Sequence, residues 1–158
     1  MSEISLDRFD RKILKILQED GRISIIDLAE QVGLSATPCT RRVKRLEELG
    51  VIEKYVAVVS PNALGFGVSV FVRVRLEKDS LEAVDAFVKA VNQRPEITEC
   101  YLVTGTYDYL LRVRMKDVPS LREFILNELV AIPSVAETST HLALEETKRT
   151  SSIPVDIS

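Results

Sequence analysis

Residues Ser24–Leu49 read SIIDLAEQVGLSATPCTRRVKRLEEL. Ile25, Leu28, Ala29 and Val32 make a short apolar stripe at helical spacing. Ser24 suits the N-cap, with the Asp27 carboxylate reaching back as in a capping box. Gly33 stops the helix as a residue of positive φ. Ser35 then caps a second helix, on which Cys39, Val43, Leu46 and Leu49 recur, and Gly50 closes it. Two helices joined by so short a turn need a small residue where they touch and apolar positions that lock the second. Ala29, Gly33, Leu34, Cys39 and Val43 fill those places in order, which is the framework of a helix-turn-helix.

Short polar groups crowd the exposed start of the second helix, where base edges are reached in such motifs. They are Ser35, Thr37, Pro38, Thr40 and Arg41. Arginine pairs with guanine, and threonine suits a phosphate or a thymine methyl. Arg42, Lys44 and Arg45 lie further along and suit the backbone, contacts that position rather than specify. These eight residues are the candidate contacts to double-stranded DNA. A charge run alone would fit a solvated basic helix in a structural bundle. The Ala/Gly/Ser framework favours DNA.

The net charge of −3 over 158 residues does not oppose this. Residues 1–60 carry 10 Lys/Arg against 10 Asp/Glu, and residues 61–158 carry 11 against 14. Four basic residues of the neutral first part fall between Arg41 and Arg45, and a local basic face is enough for phosphate contacts. No apolar run approaches the roughly 18 residues needed to span a bilayer. Nothing near Met1 resembles a secretory signal, so the cytoplasm is the default location. Cys39 and Cys100 read as two buried thiols, and one histidine with two cysteines makes no metal site.

Around the quoted stretch, Phe9, Ile13, Leu14 and Leu17 predict a preceding helix that ends at Asp20-Gly21. Val51–Val59 has strand character and serves as a wing or, by preference, a link, ending at the hinge Ser60-Pro61-Asn62. Beyond it the period changes to two. Val68, Val70, Val72, Val74 and Leu76 alternate with Ser69, Phe71, Arg73, Arg75 and Glu77, as in a half-buried strand. A helix follows Ser80, with Leu81, Val84, Phe87, Val88 and Val91 inward. Strands are expected over Ile97–Val103 and Asp108–Met115, a helix over Val118–Leu129, and a last strand over Val135–Glu145. The order β-α-β-β-α-β is the ferredoxin-like arrangement. Its sheet leaves one face uncovered, and a second copy packed sheet against sheet would bury it. The segment after Thr147 is polar and reads as loose. The fold class is α+β, with a winged-type helix-turn-helix domain over residues 1–60 and a ferredoxin-like domain over residues 61–158.

The run Ser35–Glu47, together with Asp7-Arg8-Phe9-Asp10-Arg11-Lys12-Ile13-Leu14, resembles the Lrp/AsnC family of feast/famine regulators over about Leu6 to Lys148. The resemblance implies a transcription regulator that binds DNA as a homodimer, assembles into tetramers or octamers through its second domain, and responds to an amino acid. It implies no cofactor beyond that effector. Gly105, Tyr107 and Asp108 match the family segment that lines the effector pocket, with Val103, Thr104 and Thr106 as neighbours. Thr138 and Thr140, on the last strand, are expected to face the pocket across the interface between copies. From the residues alone, Gly105 and Asp108 suit the two ends of a zwitterion, but a Gly-x-Tyr-Asp turn is equally an ordinary hairpin signal. Thr106 stands where some relatives are acidic, so effector choice does not carry over.

No nucleophile–base set, phosphate loop or metal cluster supports an enzyme. Arg73, Arg75, Arg112 and Arg114 alternate on strands without the aromatic pair of an RNA-binding sheet, and read as solvated or interface arginines. His141 lacks a partner for catalysis. An architectural DNA-binding protein that senses nothing is the alternative function.

Overall fold

The computed structural model describes residues 4–77 and 80–156. The chain forms two compact units, Met1–Val58 with Lys148–Ser158, and Val59–Thr147. The junction expected at residue 60 thus falls at 58/59. The segment after Thr147, expected in the second domain and loose, lies with the first unit.

The first unit holds α1 (Arg8–Glu19), α2 (Ile25–Val32) and α3 (Ala36–Glu48). Their inward stripes supply Ile13, Leu28, Ala29, Val32, Cys39 and Leu46 to one core. Asp7 caps α1, accepting from Phe9 N–H at 2.8 Å and Asp10 N–H at 2.9 Å. Ser24 caps α2 by accepting from Asp27 N–H at 3.1 Å. The Asp27 carboxylate accepts a hydrogen bond from the Ser24 hydroxyl at 2.6 Å rather than from the backbone N–H of a capping box. Gly33 has φ 83°, as the tight turn into α3 requires. Residues 53–60 form no strand among the described residues, because nothing pairs with their backbone. No hairpin wing is therefore present there.

The second unit follows the expected order: β1 (Val68–Leu76), α4 (Leu81–Asn92), β2 (Ile97–Leu102), β3 (Tyr109–Met115), α5 (Val118–Phe124) and β4 (Val135–Leu142). α5 continues through one π-helical turn to Leu129. All neighbouring strands are antiparallel in the order β2-β3-β1-β4. Alternation sorts the side chains. Val70, Val72, Val74 and Leu76 join Leu111 and Val113 under Phe87, Val91, Leu121 and Phe124. Phe87 packs on Tyr109 with ring centres 4.6 Å apart. Two expectations fail here. Leu81, expected inward, is 83% exposed and Val88 is also exposed. Cys100 is exposed rather than buried, because β2 is an edge strand.

Truncation of Phe87 to Ala removes the aromatic centre of this layer. It is expected to cost about 3–5 kcal/mol, read as a lower urea midpoint for the second unit.

Candidate DNA interface and effector cavity

The basic run of α3 divides in two. Asp10, only 1% exposed, sits on the first turn of α1 and faces α3. Its Oδ1 accepts from Arg42 at 2.7 Å and its Oδ2 from Arg45 at 3.1 Å. Arg42 also pairs with Asp7 at 2.7 Å and lies over the Phe9 ring, 5.3 Å from its centre. Arg45 donates further to the Ser5 carbonyl at 3.2 Å. A buried carboxylate needs such partners, and through it Arg42 and Arg45 join α1 to α3. Burial alone would raise the Asp7 carboxyl, yet bonds from Asp10 N–H, Arg42 and Phe9 N–H together hold it below the ordinary carboxylate value. The hydrogen bond to Asp10 raises the Arg42 guanidinium, ahead of the opposing effect of burial.

The other half of the run faces outward. Ser35 occupies the N-cap position of α3 with extended backbone but makes no side-chain cap bond. The first turn of α3 therefore keeps N–H groups unsatisfied by its cap, a terminus suited to a phosphate. Thr37 is exposed and Pro38 half-buried, a position in the first turn that tolerates proline. Thr40 spends its hydroxyl on the Ala36 carbonyl at 2.9 Å. Arg41 is exposed, with no ion pair among the described residues. Lys44 meets Glu48 at 3.7 Å, both largely exposed, a pair worth little in water. Tyr55 donates to Glu47 at 3.0 Å. Burial first, and then this bond, pushes its hydroxyl to about 12.

In the second unit a cavity of about 310 Å³ opens on the uncovered face of the sheet. Arg73, Arg75, Thr106, Tyr107, Glu137 and Ser139 line it. Arg73 stacks on Tyr107, 4.7 Å from the ring centre. Arg75 and Glu137 pair at 2.8 Å. Thr106 and Tyr107 thus line this cavity from the hairpin. Gly105, at φ 127°, turns the hairpin with open space around it, and Thr104 beside it is exposed. Val103 N–H donates to the Asp108 carbonyl. The Asp108 carboxylate accepts from Leu76 N–H at 2.8 Å, and its own N–H reaches the Val74 carbonyl. Asp108 thereby ties the hairpin to β1. Thr138 and Thr140 pair with Val74 and Val72 and so share the helix-covered face, away from the cavity. Their neighbours Glu137 and Ser139 face it instead, since one step along a strand reverses the side. The alternation of Arg73 and Arg75 with valines was the signal for the cavity's basic wall.

Among the described residues no cluster suits a metal ion, and no helix is long and apolar enough to cross a membrane. The Lrp/AsnC ligand binding domain family matches residues 69–153, and the winged helix-turn-helix DNA-binding family matches residues 6–53. The chain belongs to the Lrp/AsnC family. The Escherichia coli leucine-responsive regulatory protein is 41% identical over 150 residues, spanning 95% of this chain and 92% of its own. A transcriptional regulator from Neisseria meningitidis, solved with L-methionine, superposes with TM-score 0.93 at 36% identity, over 96% of this chain and 98% of its own. An AsnC family regulator from Agrobacterium tumefaciens gives TM-score 0.90 at 41% identity, over 94% and 97%. Like other members of the Lrp/AsnC family, the protein is a DNA-binding transcription regulator with a family ligand-binding domain.

Replacing Asp10 with Asn keeps the volume but removes the charge between two guanidiniums. A loss of about 2 kcal/mol is expected, read from equilibrium unfolding of the first unit. Asp7 adds an acid dependence. Its folded-state value is lowered, so its contribution is complete above about pH 4 and fades as pH falls through the lowered value. Thermal midpoints measured down this range are expected to fall less steeply in Asp7→Asn.

Proposed function

We propose that the protein regulates transcription from duplex DNA gripped by the exposed start of α3 and that an amino acid held against the sheet controls it. The division of the basic run carries the DNA assignment. Ser35, Thr37, Arg41 and Lys44 remain available for DNA, whereas Arg42 and Arg45 hold the helix in place through Asp10. Arg41→Ala with Lys44→Ala is expected to reduce the salt dependence of binding by about one slope unit per lost phosphate contact. Arg42→Ala is expected to act through stability of the first unit. Fluorescence anisotropy at several salt concentrations separates the two, and an unchanged slope in the double variant overturns the assignment.

For the effector, the L-methionine bound by the Neisseria relative supports an amino acid. The cavity matches one in chemistry: the Arg73 guanidinium for a carboxylate, Glu137 for an ammonium group, and the hydroxyls of Thr106 and Ser139. A second copy covering the same sheet face would bring the effector to an interface between copies. Homodimers joining into tetramers or octamers, in the cytoplasm, complete this reading. The effector then biases one assembly, and a coupling of about 1–3 kcal/mol shifts DNA occupancy several-fold. Titration calorimetry with each of the twenty amino acids is expected to find one that binds and that Arg73→Ala weakens. Absence of heat for all of them favours the architectural protein without an effector.

A further inference from the structure

Residues 148–156 leave the second unit and return to the first. They meet the outer side of α1 through backbone groups. The Gln18 side-chain amide donates to the Ile153 carbonyl at 3.0 Å, and Ile153 N–H donates back to Gln18 Oε1 at 2.6 Å. Two turns earlier on α1, Arg11 donates to the Asp156 carbonyl at 3.1 Å. The Ile153 side chain is itself 73% exposed, so backbone pairing rather than burial of that side chain seats the segment. The same guanidinium of Arg11 donates through Nε to the Leu6 carbonyl at 3.3 Å. Leu6 lies between Ser5, whose carbonyl receives Arg45, and Asp7, which receives Arg42. A continuous set of bonds therefore runs from the returning segment through Arg11 to the lead-in of α1 and on to α3. Just before the segment begins, and within the second unit, Glu146 pairs with Arg112 and Arg114 on the uncovered sheet face.

We infer that the outer face of α1, through Arg11 and Gln18, is a docking surface for residues 148–156 of this chain, and that docking there strengthens the grip of α3 on DNA. The inference rests on the reading of α3 as the DNA-contacting helix. Three exposed hydrogen bonds favour the seated segment only modestly, so it exchanges between seated and released states. Such low-stability elements are the ones that respond to a distant event. The segment begins where the ligand-binding unit ends, so its seating is a route by which that unit reaches the DNA-binding one.

Two full-length variants test this, Gln18→Ala on the helix and Ile153→Pro on the segment. The second leaves α1 untouched, so a folding defect in the helix does not confound it. Hydrogen exchange of residues 150–156 and affinity for a mixed-sequence duplex are measured in each. Exchange of the segment is expected to rise about tenfold in Gln18→Ala, as the paired bonds are lost. Duplex affinity is expected to weaken roughly fivefold in both, the low end of ordinary coupling between sites, with the salt slope unchanged because no phosphate contact is removed. A segment exchanging at the unprotected rate in the unaltered chain overturns the docking. Unchanged or stronger DNA binding in either variant overturns its effect on α3. Failure of the unaltered chain to bind duplex is a separate result, which overturns the reading of α3 instead.

Discussion

A single buried carboxylate organises the DNA-binding unit. Asp10 lies between α1 and α3 with both oxygens taken by arginines of α3. A charge at that depth is tolerable only when its partners stay in place. The orientation of α3 is thereby coupled to α1, and the exposed rim from Ser35 to Lys44 is presented as a unit. Phe9 adds a flat apolar surface under the Arg42 guanidinium, a geometry that favours arginine over lysine. Two of the four basic side chains between Arg41 and Arg45 are thus engaged within the unit.

The second unit depends on a different constraint, the two-residue period of its strands. Valine and leucine at every second position build one covered face, and whatever stands between them must face the other way. In β1 those residues include Phe71, Arg73 and Arg75; in β3, Arg112 and Arg114. Each of Arg75, Arg112 and Arg114 finds a glutamate, so the uncovered face is a lattice of charge pairs interrupted by a cavity. The hairpin at Gly105 reaches this face because Asp108 bonds to β1 at Val74 and Leu76.

Much of this was readable from residue order. Spacing of apolar residues predicted the three N-terminal helices and the β-α-β-β-α-β order, and Gly33 and Ser24 marked helix ends where the structure has them. Misreadings occurred where the outcome depends on a neighbour distant in sequence. Residues 53–60 have strand-like composition but no partner strand. Cys100 and Leu81 are apolar by pattern yet lie where no element covers them. That Glu137 and Ser139, not Thr138 and Thr140, stand on the cavity's face of this chain follows from the register of β4 against β1, which comes from pairing rather than from composition.

The sequence by itself determined the helix-turn-helix and its polar N-terminal rim, because caps, glycines and apolar spacing act within a few residues of one another. It likewise determined which β1 and β3 residues oppose the core, since alternation is a local property. Only the tertiary structure decided which arginines pair with Asp10, that Glu137 and Ser139 complete the cavity, and that residues 148–156 return to α1. Each of these is a pairing between groups far apart along the chain, as Asp10 with Arg42, Arg73 beside Tyr107, or Gln18 with Ile153. A charge or an amide carries no sign in the sequence of the partner that folding will bring to it.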